Sequence, residues 1–183
     1  LQMKFKKILM NFGFILPISI IRILRPIKRL YRRILFNYKL YRGNIANVNK
    51  NNLVDCIREF GIKDGDSMFV HSSLSKLGFI EGGNKTVIDS LLTILGKKGN
   101  LAMPAFTTIG TAKDYLESKP IFNPRFSIPT TGRLCESFIL RNDVHRSIHP
   151  THSVAVRGKL SEWIVRGHEN CIYPFGYNTP FEK

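Results

Sequence analysis

A chain of 183 residues, 43% of them apolar, is long enough for one domain with a packed core plus an appendage. Its formal charge of +15 is unevenly placed: residues 1–43 hold eleven Lys or Arg and no acid, whereas the remainder holds 17 basic and 13 acidic residues. The domain is therefore only mildly basic, which excludes a general nucleic-acid binder; whatever the charge does, it does through the N-terminal arm. Cys56, Cys135 and Cys171 are widely spaced, with no CxxC pair and no zinc spacing. They read as reduced thiols of a cytoplasmic protein, and no metal is expected.

The arm opens with an apolar run, Ile8 to Ile21, flanked by positive charge. It is short of the roughly 20 apolar residues that a spanning helix needs, and Pro17 interrupts it. No small-residue cleavage site follows, so a secretory signal is not expected. From Ile18 the pattern turns amphipathic. Ile20, Ile23, Leu24, Ile27, Leu30, Tyr31, Ile34 and Leu35 fall at helical spacing, and Arg22, Arg25, Lys28, Arg29, Arg32 and Arg33 take the other face. A basic amphipathic helix of this kind lies in an anionic membrane interface, here the inner face of the membrane. The alternatives are a helix packed on the domain or on a sister subunit, and a nucleic-acid contact.

The domain, residues 44–183, begins with a helix expected at about 49–60, with Leu53, Val54, Ile57 and Phe60 on one side. A turn at Gly61–Asp66 leads into a buried strand, Ser67–His71, and a loop from Ser72 to Asn84. The stripe Val87, Ile88, Leu91, Leu92 and Leu95 gives a second helix at about 84–96. Leu101–Phe106 is a second strand, with Pro104 marking its end or an edge position. Residues 107–130 carry three prolines and little periodicity, and read as a long functional loop. A helix is expected at about 131–141 and a short strand at Val154–Val156. This order predicts an α/β fold: a central mixed, partly parallel sheet with flanking helices, preceded by the basic helix.

Ligands of open α/β sheets bind beyond the carboxyl ends of the strands. Ser72 and Ser73 follow the first strand after His71, and Gly82-Gly83 precedes a helix N-terminus, where backbone can approach an anion. The bland alternative is an ordinary strand exit and helix cap. Ser72 lacks the flanking glycines of a nucleophile elbow. Thr107 sits at the end of the second strand. Arg146-Ser147-x-His149-Pro150 is denser: an Arg can hold a phosphate through paired hydrogen bonds, and His149 can orient or relay. The alternative is a polar loop around one core histidine. Four of the five histidines lie between positions 145 and 168. Of these, His168 lies between a helix end and a Pro/Gly-rich loop and is a candidate base, with Glu136 a candidate orienting carboxylate or else a solvated helix residue.

Taken together, seven blocks in order resemble the aminoglycoside 3-N-acetyltransferase family over roughly residues 50–183. They are His71–Gly78, Gly82-Gly83, Leu101–Thr107, Gly132–Phe138, Arg146–Ser153, His168 and Phe175–Phe181. The resemblance implies transfer of acetyl from acetyl-CoA to an amine of an aminoglycoside or related amino sugar. It implies direct transfer, without a metal, through a histidine–carboxylate general base. His168 matches the histidine, and Glu136 is taken as the carboxylate. Ser72, Ser73, Gly82, Gly83 and Thr107 match the acetyl-CoA site, with Arg146 and Ser147 nearby. Family members continue well past the block that ends at Pro180, so a C-terminal part of the domain is expected to be missing here. Thr179 stands where Ser is more usual. The basic arm resembles extended N-termini of relatives in surface-polysaccharide assembly.

Overall fold

The computed structural model describes Ile34 and residues 47–74 and 77–183. The arm and its expected amphipathic helix lie outside the described residues apart from the helical position Ile34. Among the described residues, no helix is long and apolar enough to cross a membrane.

Strand β1 (Asn47–Val48) leads directly into α1 (Lys50–Glu59). A reciprocal cap starts the helix: the Asn52 backbone N–H donates to Asn49 Oδ1 (3.0 Å), and the Asn49 N–H donates to Asn52 Oδ1 (3.1 Å). Val54 is buried, and Leu53 and Ile57 pack on the core. Phe60, expected on the same face, is 80% exposed because the helix ends one residue earlier. Next come β2 (Ser67–Phe69), β3 (Phe79–Ile80), α2 (Gly83–Leu95), β4 (Asn100–Pro104), α3 (Ala112–Glu117) and α4 (Arg133–Ile139). The chain closes with β5 (His145–Arg146), β6 (Val154–Gly158), α5 (Ser161–Val165) and a 3-10 turn at His168–Asn170.

The main sheet has the order β2-β4-β6-β5. β2 and β4 are parallel, with Met68 opposite Leu101; β6 runs antiparallel to both β4 and β5. The sheet is thus mixed and partly parallel, as expected. β1 and β3 form a separate two-residue parallel pair, too short to leave a pattern in sequence. The long loop after β4 holds α3, started by the Thr111 hydroxyl accepting from the Asp114 N–H. β2 was expected to be buried. It is an edge strand with Phe69 37% exposed. The buried strand is β4, whose five residues are all enclosed. Pro104 ends this central strand rather than marking an edge; it lies opposite Val154, and its carbonyl accepts from the Thr131 hydroxyl.

Alternation along β4 and β6 builds two cores. Leu101, Met103 and Ala155 face α2 and α4, meeting Leu91, Leu95, Leu134 and Phe138. Ala102, Val154 and Val156 face the other way, against Ile164 of α5. Phe138 is fully enclosed, and burying such a side chain contributes about 2–3 kcal/mol. Cys135 also lies in the first core, where burial pushes its thiol up to about 11. All three cysteines are free.

Candidate functional site

Because β2 and β4 are parallel and β6 runs against them, their exits and the entry to β6 fall at one end of the sheet. Four segments therefore meet there: the loop after β2, the loop after β4, the β5–β6 connection, and the chain beyond α5. Phe69 lies 5.2 Å from His71 and 5.4 Å from Phe181, ring centre to ring centre. Phe106 lies 4.7 Å from His152, which meets Phe175 edge-on at 5.1 Å. His149 stacks on His168 at 4.5 Å. Phe175 and Phe181 close the group at 4.6 Å. A nest of histidines and phenylalanines thus sits at the carboxyl ends of the parallel strands. His145, part of the same run in sequence, is elsewhere: on β5 its Nδ1 meets Ser161 Oγ of α5 at 3.0 Å.

His168 has no exposed surface. Its Nε2 lies 3.3 Å from the Pro174 carbonyl, which only accepts, so that nitrogen carries the hydrogen. Nδ1 is then the acceptor for the Ser147 hydroxyl at 2.8 Å. Ser147 Oγ in turn accepts from the Val154 N–H at 2.8 Å. Burial lowers the His168 pKa, and the Pro174 contact opposes that shift. The neutral ring is the resting form, with both nitrogens engaged.

Ser147, read as lying near the cofactor site, is 1% exposed, and its side chain is bonded to His168 and Val154. Arg146 is likewise turned inward. Its Nε donates to Ser153 Oγ, its Nη1 to the carbonyls of Pro124 and Ser127, and its Nη2 to the Ala105 carbonyl. Four of the five N–H groups of a guanidinium are used in this way, leaving no paired face for a phosphate. The cation lies 5.2 Å over the Phe122 ring, and burial lowers its pKa. Thr107 is 5% exposed and donates to the Pro150 carbonyl, so it too ties loops together. All three side chains tie loops together, and a tie and a ligand contact use the same residue types.

Glu136 sits in the first turn of α4, where a carboxylate complements the helix dipole. It makes no hydrogen bond or ion pair with His168, whose Nδ1 is held by Ser147. Ser72, Ser73, Gly82 and Gly83 are exposed. Gly82 caps α2 with φ +76°, and a Cβ there would collide with Thr86 Oγ1. Being glycine, this N-cap offers no side-chain hydrogen bond to the first turn of the helix. A cleft of about 370 Å³ beside it is lined by Asn49, Glu81, Gly82 and Thr86.

His149 and His152 complete the site. His149 Nδ1 accepts backbone N–H groups from His152 (3.0 Å) and Thr151 (3.3 Å). Burial, with the neighbouring His168 and His152, lowers its pKa to about 4. His152 Nδ1 lies 2.8 Å from Thr151 Oγ1, and burial lowers its pKa as well. Neither His152 nor the phenylalanines was singled out in sequence; the signal was present in the spacing His149-x-x-His152 and in the aromatics of 175–181. A cleft of about 290 Å³ beside them is lined by Gly167, Tyr173, Phe175 and Tyr177. A cleft of about 790 Å³ lies between the 124–126 loop and the C-terminus of α4, with His145 and Arg146 also in its lining. Among the described residues no cluster is suited to a metal ion.

An α/β layer with acid/base and aromatic side chains gathered beyond parallel strand ends defines a ligand-binding α/β protein. The family model for aminoglycoside 3-N-acetyltransferase matches residues 69–183, more than half of the chain, and the chain belongs to that family. The SPbeta prophage-derived aminoglycoside N(3')-acetyltransferase-like protein YokD of Bacillus subtilis is 29% identical over 151 residues, covering 73% of this chain and 55% of that protein. The crystal structure of aminoglycoside acetyltransferase AAC(3)-Xa superposes with a TM-score of 0.65 at 27% identity, covering 74% of this chain and 52% of that one. The sisomicin-bound structure of AAC-VIa gives 0.63 at 27% identity, covering 74% and 55%. The chain spans about half the length of the relatives it matches.

Proposed function

We propose that this chain serves acetyl-CoA-dependent N-acetyl transfer to an amino group of an aminoglycoside or related amino sugar. The observation that carries the reading is the histidine and phenylalanine nest at the carboxyl ends of β2 and β4, in a member of this family. An attacking amine must lose a proton, and a neutral imidazole is the group for that near pH 7. Flat phenyl faces suit the apolar faces of a sugar ring and its ammonium groups. Sisomicin, bound by the related AAC-VIa, is the model acceptor.

Acetyl-CoA fits the open side of the same sheet end. Ser72 and Ser73 are exposed at the exit of β2, and Gly82 and Gly83 are exposed at the start of α2. The base expected from sequence is His168 with Glu136. His168's place beneath His149 supports its membership of the site, while the Ser147 and Pro174 contacts leave Glu136 no bond to it. In this reading Arg146, Ser147 and Thr107 hold the loops around the acyl donor rather than touching it.

Residues 1–43 are proposed as a separate arm that holds the domain at an anionic membrane surface on the cytoplasmic side. Eleven cations without one acid support this. An amino sugar carried by a lipid or nucleotide is then the acceptor class.

Thiol release from acetyl-CoA by the chain, with sisomicin and with nucleotide-linked amino sugars, tests the reaction. Release with sisomicin is the result expected for drug acetylation. Release with the nucleotide-linked sugars alone moves the acceptor to surface polysaccharide. Release with neither sinks the transferase reading. Co-sedimentation with vesicles of phosphatidylserine and phosphatidylcholine tests the arm; binding that survives deletion of residues 1–43 would refute it.

A further inference from the structure

We propose that the end of the domain opposite the histidine nest is a docking face for an anionic phospholipid surface. It rests on the membrane reading of residues 1–43 and adds to it a second, weaker attachment on the folded domain.

The topology puts the starts of β2, β4 and β5 and the end of β6 at this end of the sheet. The turns there are bonded together. The Gly65 N–H donates to the Leu95 carbonyl at 3.0 Å, and the Leu160 N–H donates to Asn100 Oδ1 at 2.7 Å. Four exposed lysines sit on these turns: Lys63 before β2, Lys97 and Lys98 before β4, and Lys159 after β6. Among the described residues none of the four forms an ion pair. The acids of the same end are mostly engaged. Asp66 Oδ2 accepts the Lys63 backbone N–H at 2.8 Å. Asp143 lies 2.8 Å from Arg157 and 3.3 Å from Arg141, and Asp89 lies 3.4 Å from Arg141. Glu162 lies 4.0 Å from His145, and Asp64 packs against Gly96. Arg58 and Glu59 close α1 with opposite charges. The unpaired charge of this end is therefore positive.

Three large apolar side chains stand among these cations. Phe60 follows α1, Leu140 follows α4 and Leu160 follows Lys159, and all three are exposed. A single exposed apolar residue is ordinary. Three on separate segments at one end of a sheet, each within three residues of a Lys or Arg, match a surface with anionic headgroups over an apolar layer. A nucleic acid offers the charge without that layer.

A cleft of about 410 Å³ on the flank of this end supplies a headgroup site. Lys50, Lys97, Arg141 and Arg157 line it, with Asp89 as the acid in its wall. Cations in this excess suit a phosphate. Residues 1–43 add eleven Lys or Arg, so one anionic surface attracts both parts of the chain, and stable anchoring takes two such signals. The five residues of β4, about 16 Å, separate this face from the nest. In the acetyl-transfer reading, a nest turned away from the lipid meets acceptors arriving from solution. That narrows the acceptor class to a free or nucleotide-linked amino sugar.

The test uses the full chain in flotation with phosphatidylcholine vesicles that contain phosphatidylserine. The double variant Lys97→Gln, Lys98→Gln should weaken partitioning about 30-fold, and Phe60→Ala about fivefold, with urea midpoints unchanged. The matched pair Lys113→Gln, Lys119→Gln, exposed on the segment after β4, should leave partitioning as it is. Hydrogen exchange in the presence of vesicles should slow in residues 61–66 and 96–99 and not in 175–181. Wild-type partitioning by the Lys97, Lys98 variant overturns the face and leaves the arm reading standing. Slowed exchange at 175–181 instead of 61–66 overturns the orientation. Calorimetry with inorganic pyrophosphate separates lipid from a soluble ligand: binding that Lys50→Gln abolishes, with vesicle partitioning unchanged in that variant, overturns the lipid assignment of the cleft. No partitioning by the wild type overturns the arm reading and this face together.

Discussion

Two loops leave the same end of the sheet and carry the same kinds of residue. The loop after β2 contains His71, Ser72 and Ser73, and all three side chains are exposed. The end of β5 and its connection to β6 contain Arg146, Ser147, His149, Thr151 and Ser153, and nearly every polar group there is hydrogen-bonded within the protein. The denser stretch is the more closed one. Polar groups in low dielectric must find partners or destabilise the fold, so a crowded polar block at a strand junction tends to satisfy itself. The sparser loop is the more exposed one. Density of reactive side chains is thus a poor guide to which of them meet a ligand.

The largest effect that tests this contrast is on the closed side. His168→Ala should leave Ser147 Oγ and the Pro174 carbonyl beside a cavity and cost about 3 kcal/mol, read as a lower denaturant midpoint. A loss under 0.5 kcal/mol would show that the network is not part of the stabilising core. Arg146→Met keeps the stem and removes the ties to Pro124, Ser127, Ala105 and Ser153. About 2 kcal/mol should be lost, with faster proteolysis in residues 120–130. Unchanged stability would return Arg146 to the role of phosphate ligand.

Gly82→Ala, on the open side, forces a side chain into left-handed backbone and against Thr86. It should cost about 1–2 kcal/mol and weaken acetyl-CoA binding, measured by calorimetry. The pH dependence is gentler and has a definite sign. His149 titrates near 4 in the fold and near 6.5 when unfolded. Above 6.5 it is neutral in both states. As pH falls from 6.5 toward 4 the unfolded chain takes the proton and the folded one does not, so stability declines across that window. His152 and His168 are shifted in the same direction and add to it. His149→Asn should flatten the slope of urea midpoint against pH. The smallest stability effect is expected for Ser72→Ala, within about 0.5 kcal/mol, because the side chain is exposed. A raised KM for acetyl-CoA with that stability unchanged would place the donor on this loop.

Much of the architecture was legible. The stripe Val87, Ile88, Leu91, Leu95 marked α2 because a helix buries one face at a period of 3.6, and β4 was marked by a short apolar run. The two-residue strands β1, β3 and β5 were not visible, since so short a pairing leaves no periodicity. Ser67–His71 was read as buried although its strand lies at the edge: Ser67–Phe69 and Leu101–Met103 look alike as apolar runs, and only sheet order decides which one is covered on both sides. In the site, the positions of Ser72, Ser73, Gly82 and Gly83 at a strand exit and helix start followed from sequence. Arg146, Ser147 and Thr107 lie at this end of the sheet, and their internal hydrogen bonds to segments distant in sequence could not be read from local pattern.

The family, the α/β order and the uneven charge were determined by the sequence itself, because they depend on local pattern and on blocks that keep their order. How each histidine is bonded was decided only by tertiary structure. His149, His152 and His168 have the same side chain and similar polar neighbours along the chain. Their difference lies in what the fold sets against each nitrogen: a carbonyl and a serine hydroxyl at one, two backbone N–H groups at the next, and a single threonine hydroxyl at the third. Hydrogen-bond partners brought from 21 residues away, as Ser147 is to His168, cannot be read from neighbours in sequence.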